Sequence, residues 1–215
     1  MKKFSLLAII ASLVFGLTIL APATEANAMP FTDVKQTDVI KAVTALYNDD
    51  VVFGVTNTLF KPNQAATRAE TAQMIVNALN WQDEDATNPG FTDVSGKYAD
   101  AIFILANKKV VNTNSKFNPN GSLKRSQVAK MLTLAFVLEQ SSKKTTPFTD
   151  VTKAEDITFV NTLLDKGITQ GTTKTTFSPY KDVTRGQLAL FLYRGLDVIE
   201  GSTEDEADFE IIGIE

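Results

Sequence analysis

The sequence contains no cysteine and no histidine in 215 residues. Ser-His and Cys-His nucleophile pairs, imidazole acid–base chemistry and ordinary zinc sites are therefore excluded, and neither metal nor cofactor is expected. Disulfides, which many small exported domains use to compensate for thin cores, are excluded as well, so stability must come from packing. Basic charge is scarce: 21 Lys and Arg against 25 Asp and Glu leave a net charge of −4. That balance argues against a nucleic-acid partner, whose phosphates demand a basic footprint. A net acidic chain can still hold an anion locally, through placed arginines and amides. Long apolar runs are equally scarce, and the single one spans Leu6 to Leu20. Preceded by Lys2 and Lys3 and followed by Ala26-Asn27-Ala28, it makes residues 1–28 read as an export signal cleaved after Ala28. Its length leaves an uncleaved membrane anchor as the alternative. No later stretch approaches the ~18 apolar residues of a membrane span, so no stable membrane insertion is expected once the signal is removed.

Repetition dominates the rest of the chain. Phe-Thr-Asp-Val begins at Phe31, Phe91 and Phe148; a Phe-x-Pro follows at Phe60, Phe117 and Phe177. Eight residues after each of those phenylalanines comes an arginine: Arg68 in Thr67-Arg68-Ala69-Glu70, Arg125 in Lys124-Arg125-Ser126-Gln127, and Arg185 in Thr184-Arg185-Gly186-Gln187. Adding 117 to the numbering carries the first repeat onto the third without a gap. The middle repeat is three residues shorter, and the loss falls between its Phe-Thr-Asp-Val and its Phe-x-Pro.

Apolar spacing predicts a first helix in each repeat, at about 36–49 (Val39, Ile40, Val43, Leu46, Tyr47), 97–108 (Ile102, Leu105, Ala106) and 153–166 (Ile157, Val160, Leu163, Leu164). The second helix opens at the arginine motif. Its stripes are Ala72, Ile75, Ala78 and Leu79; Ala129, Leu132, Ala135 and Phe136; and Ala189, Leu192, Gly195 and Leu196. Alanine at the same place in all three (Ala72, Ala129, Ala189) predicts a close helix–helix approach. A helix–loop–helix of roughly 50 residues is too small to bury a core alone, so the three are expected to share one around a pseudo-threefold axis. Polar linkers at 80–90 and 139–147 separate the units. The acidic tail of 201–215 is expected to be disordered.

Thr-x-x-Glu and Thr-x-x-Gln are capping boxes, in which the threonine accepts from the N3 amide and the Glu or Gln reaches back to the N-cap amide. They do not explain the arginine. At N1 it caps nothing, and its charge opposes the positive end of the helix dipole. A cation recurring there suggests a site for an anion; the competing reading is a surface salt bridge or an arginine stem packed on a neighbouring unit.

These residues resemble the S-layer homology family: Phe-Thr-Asp-Val, a glycine after the first helix, Phe-x-Pro, then Thr-Arg-Ala-Glu, three times over residues 30–198. The resemblance implies a mainly α fold, three helix–loop–helix repeats (29–86, 87–144 and 145–200) forming a three-pronged spindle. It also implies a secreted, non-enzymatic module at the cell wall or cell surface. Such a module binds an acidic, pyruvylated secondary cell-wall polysaccharide in grooves between repeats. Carried over by position, Arg68 and Arg185, with Arg125 as a weaker third, become the anion-binding candidates. Asp33 and Asp150 become candidates for sugar hydroxyls, and Gly54 and Gly171 for close backbone approach. For the aspartates an Asx turn or helix cap is the competing role; for the glycines, a turn. Trp81 and Tyr180 could stack on a sugar or simply pack.

Repeat two departs from the pattern. Lys124 replaces the capping threonine, and Val111-Asn112 stands where the glycine would be. Ser122 could cap the helix two residues early, which would put Arg125 at N3. Fewer than three good sites are therefore expected. Two other functional classes compete: a self-assembling surface-layer protein, and a glycan-cleaving enzyme. The latter requires two carboxylates about 5–10 Å apart across a cleft, and no pair stands out.

Overall fold

The computed structural model describes the backbone of residues 29–210 and the side chains of residues 29–201. The expected export signal and residues 211–215 lie outside the described residues. Six helices and no strand are present among the described residues: α1 (Thr37–Asn48), α2 (Arg68–Ala78), α3 (Ala99–Asn107), α4 (Arg125–Ala135), α5 (Ala154–Asp165) and α6 (Arg185–Glu210). The helices expected from spacing are all there, and α2, α4 and α6 each begin at the motif arginine.

Packing is between repeats rather than within them. The second helix of one repeat lies against the first helix of the next: α2 on α3, α4 on α5, and α6 back on α1. The cycle is closed at its centre by three isolated antiparallel bridges, Ala65 with Thr184, Thr67 with Ser122, and Lys124 with Asp182. There the Ala66 amide donates to Val183 O and the Val183 amide to Leu123 O, both at 2.9 Å. Ala66, Leu123 and Val183 are fully buried. So are Ala72, Ala129 and Ala189, as a close approach of helices requires. Gly195 lets the ring of Phe136 touch α6, where an added Cβ would fall 2.0 Å from the ring.

Each repeat also pairs its two phenylalanines. Ring centroids are 5.5 Å apart for Phe31 and Phe60, 5.7 Å for Phe91 and Phe117, and 5.8 Å for Phe148 and Phe177. All six are buried. Rings of this size dominate the burial available to a small repeat.

Helix ends follow one device. The chain turns left-handed just after the helix, at Asp50, Asn80, Lys109, Val137 and Gly167, as in a Schellman-type stop. The third repeat omits this stop at the end of α6. Val198 and Ile199 pack on the core past the stop position, and no proline or glycine interrupts 202–210. The helix continues through Gly201 to Glu210, into a tail for which irregular chain was expected.

Val137 has φ 51° and is 85% exposed. A β-branched residue in the left-handed region is strained by about 1–2 kcal/mol, with no burial here to offset it. Repeat one has Asn80 at this place, with φ 53°. Val137→Asn should raise unfolding stability by ~1 kcal/mol, seen as a higher urea midpoint at unchanged slope.

Candidate functional site

The three arginine motifs sit at the three joints between repeats, and each joint starts from an aspartate. Asp33 accepts the Phe60 amide on Oδ1 at 2.9 Å and the Lys61 amide on Oδ2 at 2.7 Å. Asp93 does the same for Phe117 and Asn118, and Asp150 for Phe177 and Ser178, all at 2.8 Å. The middle residue of each Phe-x-Pro is left-handed, with φ 55° at Lys61, 60° at Asn118 and 61° at Ser178. The carboxylate thus fixes a turn that non-glycine residues adopt only at a cost. The backbone amide of Phe117 is the main reason the Asp93 carboxyl titrates below its usual range.

Once fixed, the turn meets the next joint. Its carbonyls accept the first helical amides of the preceding repeat in the cycle. Pro119 O and Gly121 O take the amides of Ala69 and Arg68 at 3.0 and 2.8 Å. Pro179 O and Lys181 O take those of Ser126 and Arg125 at 3.1 and 3.0 Å, while Pro62 O and Gln64 O take those of Gly186 and Arg185 at 2.9 Å. These amides are orphans in any helix; here they are not free for a ligand.

The arginine then crosses the same joint. Arg68 Nε donates to Phe117 O at 2.7 Å, Arg125 Nε to Phe177 O at 2.8 Å, and Arg185 Nε to Phe60 O at 2.8 Å. Each guanidinium also lies over that phenylalanine's ring, 4.5, 4.7 and 4.6 Å from the centroid respectively. The cation that looks misplaced at N1 therefore has a carbonyl and an aromatic face from the neighbouring repeat.

Beyond this shared geometry the joints differ. Arg185 is 0% exposed: Nη1 donates to Glu70 Oε1 at 2.7 Å and Nη2 to Phe53 O at 2.5 Å. Glu70 does double duty, since its Oε2 also closes the capping box on Thr67. Arg125 is 3% exposed and reaches Gln187 Oε1 at 3.3 Å. Burial pushes its pKa down to about 10, which leaves it charged at neutral pH. Arg68 alone is part-exposed, and among the described residues neither of its terminal nitrogens donates to a protein acceptor. Arg68 lines a groove of about 310 Å³ whose other charged walls are Lys116, Lys130, Glu155 and Asp156. Lys130 and Glu155 are ion-paired at 2.5 Å. Desolvation raises the pKa of Asp156, against the lowering pull of Lys153.

The expectation of an early cap at Ser122 is corrected. Ser122 is held in its bridge to Thr67, α4 begins at Arg125, and Lys124 is the N-cap, its amide donating to Gln127 Oε1 at 3.0 Å. Arg125 is therefore at N1 like the other two. Asp33 lines a second groove of about 270 Å³ between α6 and α1, with Val39, Pro62, Gln187 and Leu190. Asp150 lines a third hollow beside Tyr180. Gly54 and Gly171 line none of the three. A Cβ there would fall 2.5 Å from Phe31 Cε1 and 2.4 Å from Phe148 Cε1, so both glycines make room for the repeat's own phenylalanine. Trp81 lies under Lys108, whose Nζ is 5.1 Å from its ring. Lys116, Lys130 and the carboxylates of the Arg68 groove were not singled out from sequence. Lys130 lies three residues past Gln127, on one helix face, where repeats one and three carry Gln73 and Leu190; that difference between copies was the available signal. No group of three metal-ligating side chains, and no helix long and apolar enough to cross a membrane, occurs among the described residues.

The S-layer homology domain model matches residues 30–72, 90–129 and 147–189. The chain is 31% identical over 160 residues to an S-layer protein of Bacillus thuringiensis subsp. finitimus, covering 71% of this chain and 19% of that protein. It is 30% identical to the S-layer protein sap of Bacillus anthracis, with the same coverage. An exoglucanase XynX of Acetivibrio thermocellus is 28% identical over 176 residues, 78% of this chain and 16% of that enzyme. The chain thus spans a fifth or less of the length of the curated relatives it matches.

A buried ion pair that loses one partner costs about 3–5 kcal/mol. Arg185→Ala, which strands Glu70 and two carbonyls, should therefore lower unfolding stability by ~3 kcal/mol or more, and a double-mutant cycle with Glu70→Gln in urea denaturation should give a clear coupling energy.

Proposed function

The chain belongs to the S-layer homology domain family, and from that premise we propose that it is a non-catalytic attachment module of the cell surface. It holds the cell wall non-covalently by gripping an acidic secondary wall polysaccharide, of which a pyruvylated glycan is the best chemical fit, in the groove at Arg68. The observation that carries this reading is the asymmetry of the three arginines. Arg185 directs both terminal nitrogens and Arg125 its Nη1 at protein acceptors, whereas Arg68, with neither so engaged among the described residues, lines a groove with Lys116 and Lys130 on its walls. A guanidinium fork matches a carboxylate in two parallel hydrogen bonds, which a lysine cannot do. Nε and the ring of Phe117 hold the fork in place before any ligand arrives, so little entropy is lost on binding. Asp33 and Asp150 keep sugar-contacting roles only through carboxylate lone pairs left over from their turns. Arg125, Arg185, Gly54 and Gly171 act indirectly, by holding the joints that shape the grooves.

Pull-down on wall sacculi tests the reading. Sacculi that retain their secondary polymer should retain the protein, and stripped sacculi should not; equal retention on both rejects the polysaccharide. Arg68→Gln should weaken binding by ~10-fold, since a charge-assisted hydrogen bond contributes about 1.5–3 kcal/mol; it also removes the Nε bond to Phe117 O and the ring contact, so it should cost about 1.5–3 kcal/mol of stability, and binding is compared well below the variant's melting temperature. Release of reducing sugar from the polymer would instead favour an enzyme.

The Asp156 carboxylate faces the same groove and repels an anionic ligand. Its pKa is raised in the folded protein, so it gains its proton at a higher pH than a free aspartate does. Acidification into the carboxylate range removes the repulsion, and binding to polymer-bearing sacculi should tighten. The same raised pKa means that the folded state loses stability as pH climbs through it. Asp156→Asn should accordingly bind more tightly at neutral pH, show a flatter pH profile and lose no stability.

A further inference from the structure

Tyr180 is the one exposed aromatic side chain among the described residues, at 51%. It occupies a turn position that repeats one and two fill with Asn63 and Asn120. Leaving a tyrosine ring in water there forgoes the gain of burying it. The backbone beneath the ring is nonetheless held firmly. Pro179 is buried and its carbonyl accepts the Ser126 amide at 3.1 Å. The Lys181 carbonyl accepts the Arg125 amide at 3.0 Å, and the Lys181 amide donates to Ser178 O at 3.1 Å. The ring is thus mounted between two carbonyls that cap α4.

Around it lies a shallow hollow of about 280 Å³ bounded by Asp150, Ser178, Pro179 and Lys181. Lys153 Nζ sits 5.1 Å from the ring centroid, and Ser178 Oγ is 2.9 Å from Thr172 Oγ1. Neither Lys153 nor Lys181 forms an ion pair among the described residues. A half-exposed aromatic ring with the Lys153 ammonium over one face, a hydroxyl pair at its rim and Lys181 in the hollow match one sugar ring bearing an acid and stacked on the other face. The apolar face of the sugar stacks, its hydroxyls meet the serine and threonine, and its acid meets a lysine.

The hollow adjoins the Arg68 groove. Ser126 lines that groove and donates to Pro179, which lines the hollow. Three residues separate Lys153 beside the ring from Asp156 in the groove. We propose that Tyr180 is a stacking platform for a second sugar unit of the acidic wall polymer, which then runs from the Arg68 groove around the start of α4. This rests on the wall-polysaccharide reading and adds a subsite carried by repeat three alone.

The test compares wild type, Tyr180→Ala, Tyr180→Phe and Arg68→Gln on polymer-bearing sacculi from the producing bacterium, with thermal melts alongside. Aromatic stacking at this strength predicts a ~3- to 10-fold loss for Tyr180→Ala. Tyr180→Phe should bind within about twofold of wild type, and the melts of both variants should match wild type. Wild-type binding by Tyr180→Ala while Arg68→Gln is weakened overturns the platform and leaves the wall reading standing. Equal losses in Tyr180→Phe and Tyr180→Ala overturn stacking in favour of the hydroxyl. Failure of wild type to bind these sacculi overturns both.

Discussion

The structure depends on one contact made three times: a helix-opening arginine donates from Nε to the carbonyl of the next repeat's Phe-x-Pro phenylalanine and lies over its ring. The turn that offers the carbonyl is left-handed and would not hold its shape unaided. An aspartate from the start of the repeat pins it through two amides. The turn's later carbonyls then satisfy the first amides of the neighbouring helix. Phe-Thr-Asp-Val, Phe-x-Pro and the arginine motif are therefore parts of one joint, and the constant eight-residue interval between phenylalanine and arginine measures the chain that links one joint to the next.

Joints of this kind make the repeats interdependent. A repeat's two helices pack on different neighbours, and α6 returns to α1 across almost the whole chain. No helix pair can form its apolar contact from one repeat alone, so the first and third repeats must meet before the cycle closes. Loop-closure entropy rises only slowly with length, which makes such long-range closure affordable in stability. Its kinetic consequence is a high fraction of non-local contacts, a feature that slows folding.

Much of this was legible in the sequence. Period-3.6 stripes located every first helix within about two residues, capping chemistry fixed the start of α2 and α6, and the shared alanines foretold close approach. The arginine's partner was not legible. Arg185 lies 125 residues from Phe60 and 115 from Glu70, and nothing local to Thr184-Arg185-Gly186-Gln187 reveals either. Seen alone, an N1 arginine is an unexplained cation, and a missing anion is the natural inference. Asp33 and Gly54 were ambiguous for the same reason: their turn roles are set by Phe60 and Phe31, which come close only in the folded repeat. The continuation of α6 also required tertiary knowledge, because Val198 and Ile199 extend its buried stripe.

Repetition also shows how one framework residue can end in three different ways. All three arginines carry the same framework contacts through Nε and the ring, which leave the terminal nitrogens as a surplus. Where the following motif supplies Glu70, the surplus closes into a buried ion pair, and Phe53 O takes the last donor. Where it supplies Gln187, the guanidinium makes a longer bond to a neutral acceptor. At the first joint the corresponding residue is Gln127, which lines the same groove as Arg68 without accepting from it. Arg68 is part-exposed there, with Asp93 as its electrostatic partner, and it shares the groove with Lys116, Asp156 and the ion-paired Lys130 and Glu155. The framework bond fixes the fork at every joint, and the joints differ in how many acceptors the neighbouring repeat offers its ends: two for Arg185, one for Arg125 and, among the described residues, none for Arg68.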